Sequence, residues 1–192
     1  MALGEDKMDK KTAMYKITLP SKPKNNEWVE NYRRQEFQRY SNPTKPWVYS
    51  CEDGRKVTVA PVAKKISVLS GKPRDHPLLR SERPACVTIL TLVRDAAARL
   101  PSGVGTRADI SELLKESQYV NEDLPEDKLS NIVSGALDRL HYMTDACVKY
   151  DSEKKLWLYL HSDRNYEHPG WGEDGEDYLE KGPSKKKKRD FE

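Results

Sequence analysis

The chain has 192 residues, of which 36% are hydrophobic and 34% charged, with 12 prolines and a formal net charge of +3. So polar a composition allows one small core with extensions more readily than two, and no apolar run reaches the length of a membrane span. The opening MALGEDKMDKK lacks the apolar core of a secretory leader, and three scattered cysteines (Cys51, Cys86, Cys147) suit a reducing compartment rather than a disulfide framework.

Charge divides the chain unevenly. Residues 1–83 carry 18 basic against 10 acidic side chains, residues 84–161 carry 9 against 12, and residues 162–192 carry 7 against 9. A basic arm therefore precedes a mildly acidic centre.

Residues 1–46 are polar and broken by Pro20, Pro23, Pro43 and Pro46. Within them NNEWVENYRRQEFQRY has the makings of a short helix, but brief helices are marginal without packing. The expectation is a basic, largely disordered arm. Residues 47–83 follow as a β-hairpin and linker: Val48 and the run Val57 to Val59 are β-prone, EDG between them is a turn signal, and GKPRDHP reads as extended linker. A lone hairpin is unstable in water, so this one must pack on the later domain or on a partner.

The densest apolar text lies in residues 84–161. In PACVTILTLVRDAAARLP, Val87, Leu90, Val93, Ala97 and Leu100 recur near one helical face, with Pro84 placed for the first turn and Pro101 as the stop. PSGVG is a turn, and Thr106 with Asp109 forms a capping box for a shorter helix. A third helix begins near DLPEDKL with Asp123 as its cap, and Leu129, Ile132, Val133, Ala136, Leu137 and Leu140 face inward. Gly135 inside that helix points to a close helix crossing. CVKYDSEKKLWLYLH then alternates as two arms of a hairpin, with Leu156, Leu158 and Leu160 on one side and Trp157 and Tyr159 on the other. Three helices and a hairpin in this order make an α+β winged helix. Residues 162–192 read as a disordered tail whose run Lys185, Lys186, Lys187, Lys188 and Arg189 is a nuclear-import candidate.

Many winged helices read DNA with their third helix. Here that helix sets Lys128 and Arg139 against Glu126, Asp127 and Asp138, and the wing sets Lys149, Lys154 and Lys155 against Asp151 and Glu153. Tight DNA binding needs several neutralised phosphates, which this balance does not supply. Protein docking is the reading that follows, with an exposed wing aromatic as anchor. The alternative is a DNA-binding protein that takes its phosphate contacts from the basic arm and tail. Contact candidates are Lys128, Arg139, His141, Lys149, Lys154, Lys155 and Tyr159.

Catalytic signatures are wanting. SGVG lacks the Lys-Ser/Thr of a phosphate loop, the four histidines form no HExxH, and there is no CxxC. No enzyme activity, cofactor or metal is expected.

The strings RPACVTILTLVRDAAARLP, GTRADISELLKESQYV, VSGALDRLHY and ACVKYDSEKKLWLYLH, with FQRYSNPTKPWVYSCEDGRKVTVAP upstream, resemble the second winged-helix domain of plant proteins related to nuclear factor related to kappa-B-binding protein. The resemblance covers about residues 40–161. It implies a nuclear subunit of an Ino-eighty-type ATP-dependent chromatin-remodelling complex, acting in transcription regulation and DNA repair through protein partners. Members of that family are longer, with an N-terminal domain that engages a ubiquitin hydrolase and an earlier winged helix. Residues 1–39 match neither, which implies a fragment or short relative without control of deubiquitination.

Overall fold

A computed structural model describes residues 26–63 and 71–166. The first element, helix α1 (Asn26–Ser41), lies in the text assigned above to a disordered arm. It buries Tyr32, Glu36, Arg39 and Tyr40, which recur at helical spacing along one face. That stripe is polar or amphipathic, so it carries little hydrophobic signal, and the helix is held by specific bonds instead. The expectation of disorder is therefore corrected over residues 26–46.

Strands β1 (Trp47–Ser50) and β2 (Lys56–Val59) form the upstream hairpin, with Tyr49 opposite Val57 and Gly54 in the turn at φ +82°. Tyr49, Val57 and Val59 are completely buried. The hairpin packs on the winged helix, and Thr58 fastens it there through both of its backbone groups. Its N–H donates to the Ser162 carbonyl at 3.0 Å, and its carbonyl accepts the Tyr159 hydroxyl at 2.7 Å.

Helix α2 (Ile89–Ala98) forms the centre of the molecule, and every residue from Leu90 to Ala98 is buried. Thr88 and Thr91 close its N-terminus as a capping box, so Pro84 precedes the helix instead of occupying its first turn. A tight turn over residues 101–103 uses Gly103 at φ +71° and leads into a short strand, β3 (Val104–Gly105). Helix α3 (Arg107–Leu114) has the expected Thr106–Asp109 capping box. Helix α4 (Glu126–His141) buries Leu129, Val133, Ala136, Leu137 and Leu140 as expected, but Pro125 occupies its N-cap without a side-chain bond and Asp123 does not cap it. Glu126 and Asp127 instead set carboxylates in the first turn against the positive end of the helix dipole.

Strands β4 (Val148–Asp151) and β5 (Leu156–Tyr159) form the wing, and β3 adds to it, giving a three-stranded antiparallel sheet in the order β3-β5-β4. Val148, Trp157 and Tyr159 turn inward, Leu158 is half-buried and Leu160 is exposed. The aromatic side of β5 is thus the core side, and of the leucine side only Leu156, at the start of the strand, is buried. Beyond the wing the fold continues: Arg164 pairs with Asp145 and Tyr166 is buried, so residues 162–166 belong to the folded unit rather than to a tail. The import candidate Lys185 to Arg189 lies outside the described residues.

One core cluster runs from Tyr32 to Tyr159 and joins α1, both hairpins and all three winged-helix helices. Its centre is polar. Asp95 accepts hydrogen bonds from Arg39, Tyr40 and Tyr49, and the Ala60 carbonyl accepts from Arg39 and Arg94. Burial alone would raise the Asp95 pKa, but the Arg39 and Arg94 guanidiniums outweigh it and hold the carboxyl below its ordinary value. Nearby, Glu36 accepts from Tyr32, from the Ser117 hydroxyl at 2.5 Å and from the Gln118 backbone and side-chain amides. The Arg99 guanidinium stacks 3.4 Å from the Tyr32 ring centre while bonding Glu116 and the Leu113 carbonyl.

Candidate protein-docking surface

The C-terminal end of α4 and the wing meet at a run of aromatic rings. Tyr142, just past the last turn of α4, lies edge-on to His141 with centroids 4.8 Å apart. His141 in turn meets Trp157 of β5 edge-on at 6.0 Å, and Trp157 packs against Tyr150 of β4 at 5.0 Å. Trp157 is buried and His141 half-buried, which fixes the centre of the run. The two ends open to solvent: Tyr142 is 82% exposed and Tyr150 36%. Aromatic rings locked by neighbours at one edge and free at the other are the usual anchors of protein interfaces, because they lose little rotamer entropy on binding.

Charges of both signs flank this run. Arg139 near the end of α4, and Lys149, Lys154 and Lys155 on the wing, are exposed there, whereas the exposed Lys128 lies in the first turn of α4, at the far end of the helix. Asp138 on the helix and Asp151 and Glu153 on the wing share this end of the domain, whereas Glu126 and Asp127 lie with Lys128 in the first turn of α4. The wing tip is well defined, since Asp151 Oδ1 accepts both the Glu153 and the Lys154 backbone N–H groups. Lys155 closes that turn at φ +58°, a region a lysine enters only at a cost. The turn thus fixes the backbone from which Lys154 and Lys155 project.

The model of the NFRKB second winged helix domain matches residues 28–167. The chain belongs to that family. A curated relative, the nuclear factor related to kappa-B-binding protein of Xenopus tropicalis, is 47% identical over 170 residues, which is 85% of this chain and 13% of the relative. The chain thus spans about an eighth of the length of that relative. No solved structure matches. The relative is a frog protein, so the match shows the family and not the plant branch to which the sequence strings were likened.

Within this winged-helix domain the matched region begins two residues into α1 and ends one residue past Tyr166. The elements that composition and periodicity had left outside the domain are part of the family's unit. Of the contact candidates, Lys128, Arg139, Lys149, Lys154 and Lys155 are on the surface, and His141 sits inside the aromatic run. Tyr159 is corrected: it is 6% exposed and its hydroxyl holds the upstream hairpin, so it offers nothing to a partner. The exposed anchors are Tyr142 and Tyr150, which the sequence reading did not single out. Tyr142 had a usable signal, because it falls off the stripe set by Leu129, Val133, Leu137 and Leu140. Among the described residues no group of three or more His, Cys, Asp or Glu side chains is placed to hold a metal, and no helix is long and apolar enough to cross a membrane.

Proposed function

We propose that this chain is a non-enzymatic nuclear module that docks on protein subunits of an Ino-eighty-type chromatin-remodelling complex, and through it serves transcription regulation and DNA repair. The observation that carries this reading is the exposed pair Tyr142 and Tyr150 at the ends of an ordered aromatic run, on a surface that mixes cations with carboxylates. A surface so mixed suits a protein partner better than a polyphosphate, whose binding scales with net neutralised charge. Arg139, Lys149, Lys154 and Lys155 supply the polar rim that sets orientation. Family membership supports the chromatin setting, and the Lys185 to Arg189 run is the proposed import signal.

The test is capture of the tagged full chain and of its Tyr142→Ala/Tyr150→Ala variant from nuclease-treated nuclear extract. Remodelling subunits recovered with the wild type and lost with the variant support the docking surface. Failure of the wild type to recover them, or their equal recovery by the variant, overturns it. Histones or DNA that disappear on nuclease treatment would move the function to the basic arm and tail.

A further inference from the structure

The wing ends on a backbone conformation that its sequence does not favour. Lys155 stands at φ +58°, where a side chain crowds the backbone and glycine or asparagine is the ordinary occupant. Two other turns meet the same demand with glycine, at Gly54 (φ +82°) in the upstream hairpin and Gly103 (φ +71°) before β3. The fold itself makes no use of the lysine. Its side chain is exposed, and its ammonium group has no ion-pair partner among the described residues. Strain kept at an exposed position, by a side chain that holds nothing in the fold, points to a contact outside it.

The neighbours of Lys155 set the chemistry of that contact. Lys149 and Lys154 are also exposed and also lack an ion-pair partner among the described residues. Of the two acids, Asp151 is tied into the turn, where its Oδ1 accepts the Glu153 and Lys154 backbone N–H groups. That leaves three unpaired ammonium groups and one unpaired carboxylate, on Glu153. Tyr150, 36% exposed and packed on Trp157, stands beside Lys149 in β4 and supplies an apolar contact among the charges.

Resting on the docking reading above for a protein partner, we infer that the wing tip sets specificity by receiving an acidic segment of that partner, with its carboxylates on Lys149, Lys154 and Lys155. A duplex suits the tip less well. Gripped by α4 and the wing together, its phosphates would meet Glu126, Asp127 and Asp138 along the helix. Lysine at position 155 gives up backbone ease for a charge at the point of contact, where glycine would leave none.

The experiment measures melting of the full chain and its fluorescence anisotropy with a fluorescein-labelled EEFEE peptide at low salt, with KKFKK as control. The wild type binds EEFEE and not KKFKK. Lys155→Gly binds about two- to fivefold more weakly, the range of one exposed charge pair, yet melts no lower than the wild type. Lys155→Arg keeps the affinity. Lys149→Gln/Lys154→Gln binds about fivefold or more weakly with unchanged melting, because both side chains are exposed. A lower melting temperature for Lys155→Gly makes the lysine structural and overturns the inference. Peptide binding that ignores the wing substitutions, and is lost when Lys185, Lys186, Lys187 and Lys188 are replaced by Gln, overturns it too. A short DNA duplex that binds more tightly than EEFEE, and is weakened by the same wing substitutions, overturns it in favour of nucleic acid. Capture of no remodelling subunit from extract, with EEFEE still held by the wing lysines, sinks the named complex and supports the acidic contact.

Discussion

Arg39 holds Asp95 through two hydrogen bonds, Nε to Oδ2 at 2.7 Å and Nη2 to Oδ1 at 3.2 Å, with both side chains fully buried. The pair ties α1 to the centre of α2 across 56 residues of sequence, and Tyr40 and Tyr49 complete the carboxylate's hydrogen bonds. Removing one member leaves the other charge buried and uncompensated, a change that costs about 3–5 kcal/mol. Asp95→Ala should lower the unfolding free energy in urea by that amount. An apolar double replacement, Arg39→Met/Asp95→Leu, should recover only part of it, because Arg94 stays buried at the same place without the Asp95 carboxylate. If Asp95→Ala is within about 1 kcal/mol of wild type, the pair does not hold α1 to the core.

This polar core also explains which parts of the fold the sequence made legible. α2, α3, α4 and the wing carry Leu, Val, Ile and Ala at helical or alternating spacing, and periodicity finds them. α1 buries Tyr32, Glu36, Arg39 and Tyr40, whose burial depends on partners 55 to 82 residues away, including Asp95, Ser117 and Gln118. No local pattern reports such pairings. The same limit governed the surface. Trp157 and Tyr159 stood out by size, yet both are core: Tyr159 holds the upstream hairpin, whose need for a surface the sequence did show without saying which, and β3, which pairs with β5 opposite Trp157, was not foreseen as a strand. Tyr142 and Tyr150, less conspicuous in the sequence, were left as the exposed rings.

Tyr159 and Thr58 are the fastening between the upstream hairpin and the wing. Tyr159→Phe leaves the Thr58 carbonyl without this 2.7 Å bond while keeping the packed ring. The expected loss is about 1–2 kcal/mol. Hydrogen exchange gives the sharper readout: the amides of Val57 and Val59, which pair with Tyr49 and Trp47, should exchange faster, while those of α2 keep protection relative to global stability. Uniform loss of protection across the chain would mean that the bond does not localise the hairpin.

Two glycines should respond in opposite directions to alanine. Gly135 lies in the middle of α4 with nothing within 4 Å of where a Cβ would stand, so no helix crossing needs it. Gly135→Ala should stabilise by about 1 kcal/mol through helix propensity alone. At Gly105 a Cβ would meet Leu100 Cδ2 at 2.6 Å and Asp109 Oδ2 at 3.2 Å. Gly105→Ala should destabilise by about 1–3 kcal/mol through overpacking at the junction of β3 and α3. Melting temperatures of the two variants, measured side by side, should fall on either side of the wild type.

His161 makes stability depend on pH near neutrality. Its ring is 6% exposed, beside Tyr166 and Asp145. Burial is the main cause that pushes its pKa down to about 4; the Arg164 charge adds to this, and Asp145 opposes it only in part. An unfolded histidine titrates near pH 6.5, at about its unperturbed value. Between the two values the unfolded chain binds the extra proton, so unfolding free energy rises with pH there. The stabilisation is full above about pH 6.5 and is lost as pH falls toward 4, with a slope of at most about 1.4 kcal/mol per pH unit from this one group. His76, whose pKa burial also lowers, adds a contribution of the same sign. Urea midpoints at pH 7, 6 and 5 should therefore fall for the wild type and fall less for His161→Gln. Equal slopes in the two proteins would show that His161 is not held neutral by the fold.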